Sequence, residues 1–171
     1  MEKLVECVPN VSEGNNKEII EVLKAEISSV EDVLFLHRDI GKDSNRTVYS
    51  FIGPPAAVEE AAYKLIKKAY ELIDMTTHTG IHPRIGAVDV CPFVPYTHTS
   101  MEECIQLANN LAKRVAEDFN IPVYMYAEAA KHDYRKELSQ IRSGEYEGLK
   151  EKITKEEWKP DYGEAFNPKF G

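Results

Sequence analysis

Apolar residues recur along this chain in two rhythms, alternation by twos and a helical spacing of threes and fours, and their succession lays out the elements. Residues 3–11, KLVECVPNV, place Leu4, Val5, Cys7 and Val8 on both faces of a short strand that Pro9 and Asn10 end. From Asn16 to Ser29 the positions of Ile19, Ile20, Leu23 and Ile27 predict a helix, with Asn15 or Asn16 as its cap. VLFLHRDI (33–40) and RTVYSFIG (46–53) are β-rich runs divided by the turn residues GKDSN, which implies a hairpin. Pro54 and Pro55 suit the first turn of a second helix, whose apolar stripe runs from Val58 through Leu65 and Ile66 to Ile73. After a loop at 75–86, AVDVCPFV (87–94) reads as another strand. Ser100 with Glu103 forms a capping box before a third helix with its stripe on Cys104, Ala108, Leu111, Ala112, Val115 and Phe119. PVYMYAEA (122–129) reads as a further strand, and RKELSQIR and the Glu/Lys-rich 145–158 as shorter surface helices.

The order β-α-β-β-α-β predicts an α+β fold, a ferredoxin-like split sandwich with an appended helix and strand. Such a sheet carries helices on one face only. VLFL and TVYSFI put apolar side chains on both faces, so the second face calls for a cover. The tail, WKPDYGEAFNPKFG (158–171), holds Trp, Tyr and two Phe among Pro and Gly with no regular period. So many aromatics are foreign to a disordered segment, and the tail is expected to pack on the domain or on a ligand.

Composition narrows the function classes without selecting one. With 171 residues, 43% of them hydrophobic and 29% charged, the chain suits one globular domain or a module of a larger protein. No run reaches the length of a membrane span, the first residues lack a signal-peptide pattern, and a cytoplasmic location is expected. Three cysteines, Cys7, Cys91 and Cys104, stand far apart and outside any CxxC pair, which argues for reduced thiols. The net charge of −8, with lysines interleaved among glutamates, disfavours a nucleic-acid surface.

The segment HTGIHPRIGAVDVCPF (78–93) concentrates the candidate chemistry. His78 and His82 stand four apart, the spacing of a helical metal pair, but Gly80 and Pro83 spoil that helix, and no metal is expected. A general base is the better functional reading, since an imidazole on a glycine-flanked loop can accept and return a proton near pH 7. A loop histidine can equally be structural. No GxSxG or phosphate-binding glycine motif is present. Asp39, Asp43, Asn45 and Arg46 crowd the hairpin tip, either as turn chemistry or as the polar rim of a pocket.

Together VECVPNVSEG (5–14), SNRTVYSFIG (44–53), LIDMTTHTGIHPRIGAVDVCPFVP (72–95), PVYMYAEAA (122–130) and IRSGEYEGL (141–149) resemble the N-terminal half of the formiminotransferase domain, from residue 4 to the last residue. The resemblance implies formimino transfer between N-formimino-L-glutamate and tetrahydrofolate, the latter a co-substrate, in histidine degradation. It also implies two ferredoxin-like halves with folate held between them, residues 1–171 forming the N-terminal one. The family's catalytic histidine falls on His82. Its folate-contacting segment falls on Gly163, Glu164, Ala165, Phe166, Asn167, Pro168, Lys169, Phe170 and Gly171. Asp39 is then a candidate to orient or polarise the imidazole or substrate, and Arg46 to hold a substrate carboxylate by paired hydrogen bonds. The family's domain is longer than this chain. The expected partner is therefore a C-terminal subdomain, or a second copy meeting it through the sheet face. The alternative is a non-catalytic folate-binding or assembly module that needs a separate second half.

Overall fold

Pro9 and Pro92 lack the amide hydrogen that a ladder needs, and beside each of them the chain breaks a strand in two. In the computed structural model, which describes residues 2–171, the expected first strand becomes β1 (Leu4–Cys7) and β2 (Asn10–Val11). The run at 87–94 likewise becomes β5 (Val88–Val90) and β6 (Phe93–Thr97). The hairpin is formed by β3 (Leu34–Gly41) and β4 (Arg46–Gly53). All pairs are antiparallel: β4 carries β3 on one side and both β1 and β2 on the other, and these in turn pair with β6 and β5.

Three helices cover one face of the sheet. α1 (Lys17–Ser28) starts at Asn16, whose side chain accepts from the amides of Glu18 and Ile19, and buries Ile20, Leu23 and Ile27. α2 (Pro55–Leu72) lies beside it and buries Val58, Ala61, Ala62, Leu65, Ile66 and Ala69 against β1 and β4. The buried face is the one the apolar stripe predicted, and its small alanines lie on it. α3 (Met101–Phe119) opens on the Ser100–Glu103 capping box, with both reciprocal bonds present, and packs on α2 and β6.

The opposite face carries Arg46, Val48, Ser50 and Ile52 of β4, all half-buried, while Thr47, Tyr49, Phe51 and Gly53 are buried beneath the helices. Leu34, paired to Ile52, is 63% exposed, and Val94 of β6 is 41% exposed. The face left uncovered within the described residues is therefore mixed, with Val48, Ile52, Leu34 and Val94 interleaved with Arg46, Ser50, Asp39 and Glu6, where VLFL and TVYSFI had suggested an apolar surface.

The segment 122–129 departs from its predicted strand. Only Val123 pairs, in a single bridge to Tyr162, and Ala127 adopts a φ of 51° that ends the extended path. The alternation of Val123, Tyr124, Met125 and Tyr126 has strand character, but no neighbouring strand offers it a ladder. α4 (Leu138–Arg142) and α5 (Glu145–Lys152) follow as the short helices expected. No helix among the described residues is long and apolar enough to cross a membrane.

Candidate active site

Asn45, at the hairpin tip with a φ of 47°, ties three loops together. Its Oδ1 accepts from the Gly14 amide at 2.9 Å, its Nδ2 donates to the Thr79 carbonyl at 2.9 Å, and its own carbonyl faces His78 Nε2 at 3.0 Å. The Ile81 amide adds a bond to the Asp43 carbonyl at 3.2 Å. Ser12 completes the frame from the other side, with its amide on the Ala87 carbonyl at 2.8 Å and its hydroxyl on the Gly86 carbonyl at 2.7 Å. The loop 78–87 is thus held to the hairpin tip and to residues 12–14 by backbone and amide contacts rather than by a core.

Gly80 lies so close to the hairpin that a Cβ there would stand 2.4 Å from the Ser44 carbonyl oxygen. Alanine at position 80 is accordingly expected to push the loop off the tip and to cost about 1–3 kcal/mol of stability, the usual penalty of forced overpacking. Thermal unfolding of Gly80→Ala measures this, and an unchanged Tm would show that the loop tolerates displacement.

His82 is half-buried, with an edge open to solvent. Its Nδ1 lies 2.7 Å from the Pro83 carbonyl and its Nε2 lies 2.5 Å from Nη1 of Arg46. A carbonyl only accepts and a guanidinium only donates, so Nδ1 carries the hydrogen and Nε2 presents a lone pair. Nε2 is therefore the acceptor nitrogen of the ring and faces Arg46. Asp39, paired with Val48 in the ladder, shares the uncovered face with Arg46 but is exposed. The structure thus brings His82 and Arg46 into contact and sets Asp39 on the same face.

His78 and His82 do not converge. His78 donates from Nε2 to Asn45 and accepts at Nδ1 from Arg84 Nε at 3.2 Å. Arg84 is 6% exposed and its guanidinium reaches Glu145 at 3.0 Å and Glu147 at 2.7 Å. This pairing holds the Glu147 carboxyl below the usual carboxylate range. With the Tyr146 amide on the Arg84 carbonyl at 2.8 Å, Arg84 anchors α5 to the loop. The sequence placed Arg84 in a tight loop, and only the fold brings Glu145 and Glu147 to it.

The tail is ordered and borders the same loop. The Met75 amide donates to the Lys169 carbonyl at 2.8 Å and the Ala87 amide to the Phe170 carbonyl at 2.8 Å. Phe170 is buried and its ring lies 5.6 Å from that of Tyr70. Gly171, with a φ of 90°, sits where a Cβ would stand 2.3 Å from the Ile85 carbonyl oxygen. Asn167 Oδ1 accepts from the amides of Lys169 at 3.0 Å and Phe170 at 3.2 Å, closing the final turn. Gly163 also has positive φ and lies against the Ile121 carbonyl, while Glu164, Ala165, Pro168 and Lys169 are exposed and Phe166 is half-buried.

A family model for the N-terminal subdomain of the formiminotransferase domain matches residues 4–171. The chain belongs to the formiminotransferase N-terminal subdomain family. A formimidoyltransferase-cyclodeaminase from Gallus gallus is 52% identical over 172 residues, spanning 100% of this chain and 32% of the relative. A glutamate formimidoyltransferase from Thermoplasma acidophilum is 46% identical over 170 residues, covering 98% of this chain and 56% of its own length. The corresponding protein of Streptococcus pyogenes is 42% identical over 164 residues, or 96% and 55%. The formiminotransferase subdomain therefore accounts for about a third to a little over half of the relatives it matches.

Proposed function

We propose that this chain contributes the acid–base half of a glutamate formimidoyltransferase, which moves a formimino group between N-formimino-L-glutamate and tetrahydrofolate. The observation that carries this reading is the half-buried His82 ring, held with Nδ1 on the Pro83 carbonyl and Nε2 turned to Arg46. A folate nitrogen attacks the amidine carbon of the donor and forms a tetrahedral adduct. That adduct proceeds when the attacking nitrogen loses its proton and the glutamate nitrogen gains one. His82 Nε2 takes the first proton and returns it to the second, serving as base and then acid.

Arg46 has two successive partners in this scheme. Without substrate its guanidinium covers Nε2, and a glutamyl carboxylate is a stronger partner because it accepts two parallel charge-assisted bonds. Binding the donor draws Arg46 away and leaves Nε2 free to accept a proton. Asp39, on the same face, is placed to orient the substrate.

The tail supplies support for folate in two ways. Phe170 and Gly171 are buried behind the loop 85–87 and hold it in place. The exposed members Glu164, Ala165, Pro168 and Lys169, with Phe166 and Asn167, offer the surface that a folate can touch. Strand order also supports the ferredoxin-like reading of the fold: counting β1 with β2 and β5 with β6, the four strands stand in the order fourth, first, third, second.

The second reading is a folate-binding or assembly module that works only with a separate partner. The uncovered sheet face, with Leu34 and Val94 exposed among polar neighbours, and the greater length of the relatives favour it. A C-terminal subdomain seated on that face would complete a cleft for the folate. Titration of tetrahydrofolate against the chain alone, and then with a C-terminal half supplied, separates the two readings. Binding and turnover by the chain alone support a self-sufficient enzyme, turnover only on mixing supports a split site, and folate binding without turnover in the mixture overturns the catalytic assignment.

A further inference from the structure

Two of the three cysteines stand beside each other although 84 positions separate them in sequence. Cys7 ends β1, fully buried, and its sulfur lies 3.7 Å from that of Cys91, which occupies the break between β5 and β6. Cys91 is half-buried and lines an apolar cavity of about 330 Å³ between the β5/β6 edge, α3 and residues 121–129. Val94, Met101, Ala108 and Tyr126 also line it, and so does Cys104, which makes no thiol–thiol contact within hydrogen-bonding distance among the described residues. The proposed transfer chemistry uses none of these thiols.

We propose that Cys7 and Cys91 form an oxidation site, a dithiol that small uncharged hydroperoxides entering the cavity convert reversibly to an intramolecular disulfide. Cys91 meets the oxidant first because it borders the cavity and Cys7 does not. Its sulfur displaces water from hydrogen peroxide, giving a sulfenic acid and one water. The Cys7 sulfur then attacks the Cys91 sulfur, the S–O bond breaks, and the thiol hydrogen leaves with the hydroxyl as a second water. Two thiols and one hydrogen peroxide thus become one disulfide and two waters. Burial pushes the Cys7 thiol well up from its ordinary value, which keeps its thiolate scarce and makes the second step the slow one.

β1, which ends on Cys7, is already paired with β6, which begins two residues after Cys91, with Cys7 opposite Phe93, so the two sulfurs start 3.7 Å apart and must close to a bond of about 2 Å. The bond would staple the first strand to the last strand and to the break that follows the His82 loop. The cross-link encloses a long stretch of chain and restricts the unfolded state, so the oxidised protein is expected to melt at higher temperature.

The test treats the folded, full-length protein with hydrogen peroxide, blocks remaining thiols after denaturation and maps peptides without reduction. The expected result is a peptide linked through Cys7 and Cys91, loss of two of the three titratable thiols, a raised Tm, and reversal of all three by dithiothreitol. Cys104→Ala should leave the link intact. Cys7→Ser should leave a Cys91 sulfenic acid that dimedone traps, and Cys91→Ser should leave Cys7 as a thiol under the same treatment. The proposal is overturned if Cys7 and Cys91 both stay reduced in the folded protein, if either pairs with Cys104, or if the link forms only after unfolding in urea.

Discussion

Glutamine in place of His82 is expected to lower formimino transfer by about 10²–10⁴-fold, the usual worth of a positioned acid–base group. Folate binding should change little. The ring is held by one bond to the Pro83 carbonyl and one from Arg46, and neither of them is part of the core. Glutamine keeps an acceptor for Arg46 and a donor for the carbonyl, so the loop retains its contacts while the proton relay is lost. The measurement is kcat, KM and tetrahydrofolate affinity in a protein containing both halves of the domain. Full activity would remove His82 from the chemistry. Arg46→Ala, run beside it, should raise KM for the formimino donor more than it lowers kcat if, as proposed, it holds a substrate carboxylate.

Arg135→Met is expected to cost about 3–5 kcal/mol, the usual penalty for leaving one charge of a buried pair without its partner. For a chain of this size that is a fall in Tm of roughly 6–20 °C. Arg135 is 1% exposed and Asp161, its partner at 2.9 Å, has a side chain 3% exposed. The guanidinium also donates to the carbonyls of Glu157 and Lys159, each at 2.8 Å, and lies within 6 Å of the rings of Tyr124, Tyr134 and Trp158. Asp161 in turn accepts from the Met125 amide at 2.7 Å. Methionine fills the volume but leaves the carboxylate buried and the two carbonyls unpaired. Because this cluster fixes the start of the tail, and the tail's far end backs the loop 85–87, folate affinity should fall with stability. Thermal and urea unfolding, with limited proteolysis of the tail, would check it. A loss below 1 kcal/mol would mean that the tail is ordered by its aromatic contacts alone.

These effects reach unequally back into the sequence. The three long helices were legible because each repeats its apolar stripe over two turns or more and carries a local start signal, such as Asn16 or the Ser100–Glu103 box. The hairpin was legible from GKDSN. The segment 122–129 was not, since alternation records a wish for a ladder and says nothing about whether another strand stands beside it. Arg135 gave no signal at all: it lies in a charged stretch that reads as solvated surface, and its burial depends on Asp161, Tyr124 and Trp158, brought in from elsewhere in the chain beside its neighbour Tyr134.

The candidate site divides in the same way. His82 stood out because a glycine- and proline-flanked loop before a strand is a place where an imidazole reaches solvent, and the family resemblance pointed to the same residue. Asn45 read as turn chemistry or as a pocket rim, and its bonds to Gly14 and Thr79 appear only when three loops meet. The tautomer of His82 and its engagement by Arg46 belong wholly to tertiary structure, because a hydrogen's position on an imidazole is set by what faces each nitrogen.

By itself, then, the sequence determined the order of strands and helices through α3, the presence of apolar residues on both sheet faces, the aromatic weight of the tail and the family to which the chain belongs. Those properties rest on local spacing and on residue type, which the chain carries before it folds. Only the tertiary structure decided which thiols and which charges are neighbours, which face stays open, and where the basic nitrogen of His82 points. Such facts depend on contacts between residues tens of positions apart, and no local period encodes them.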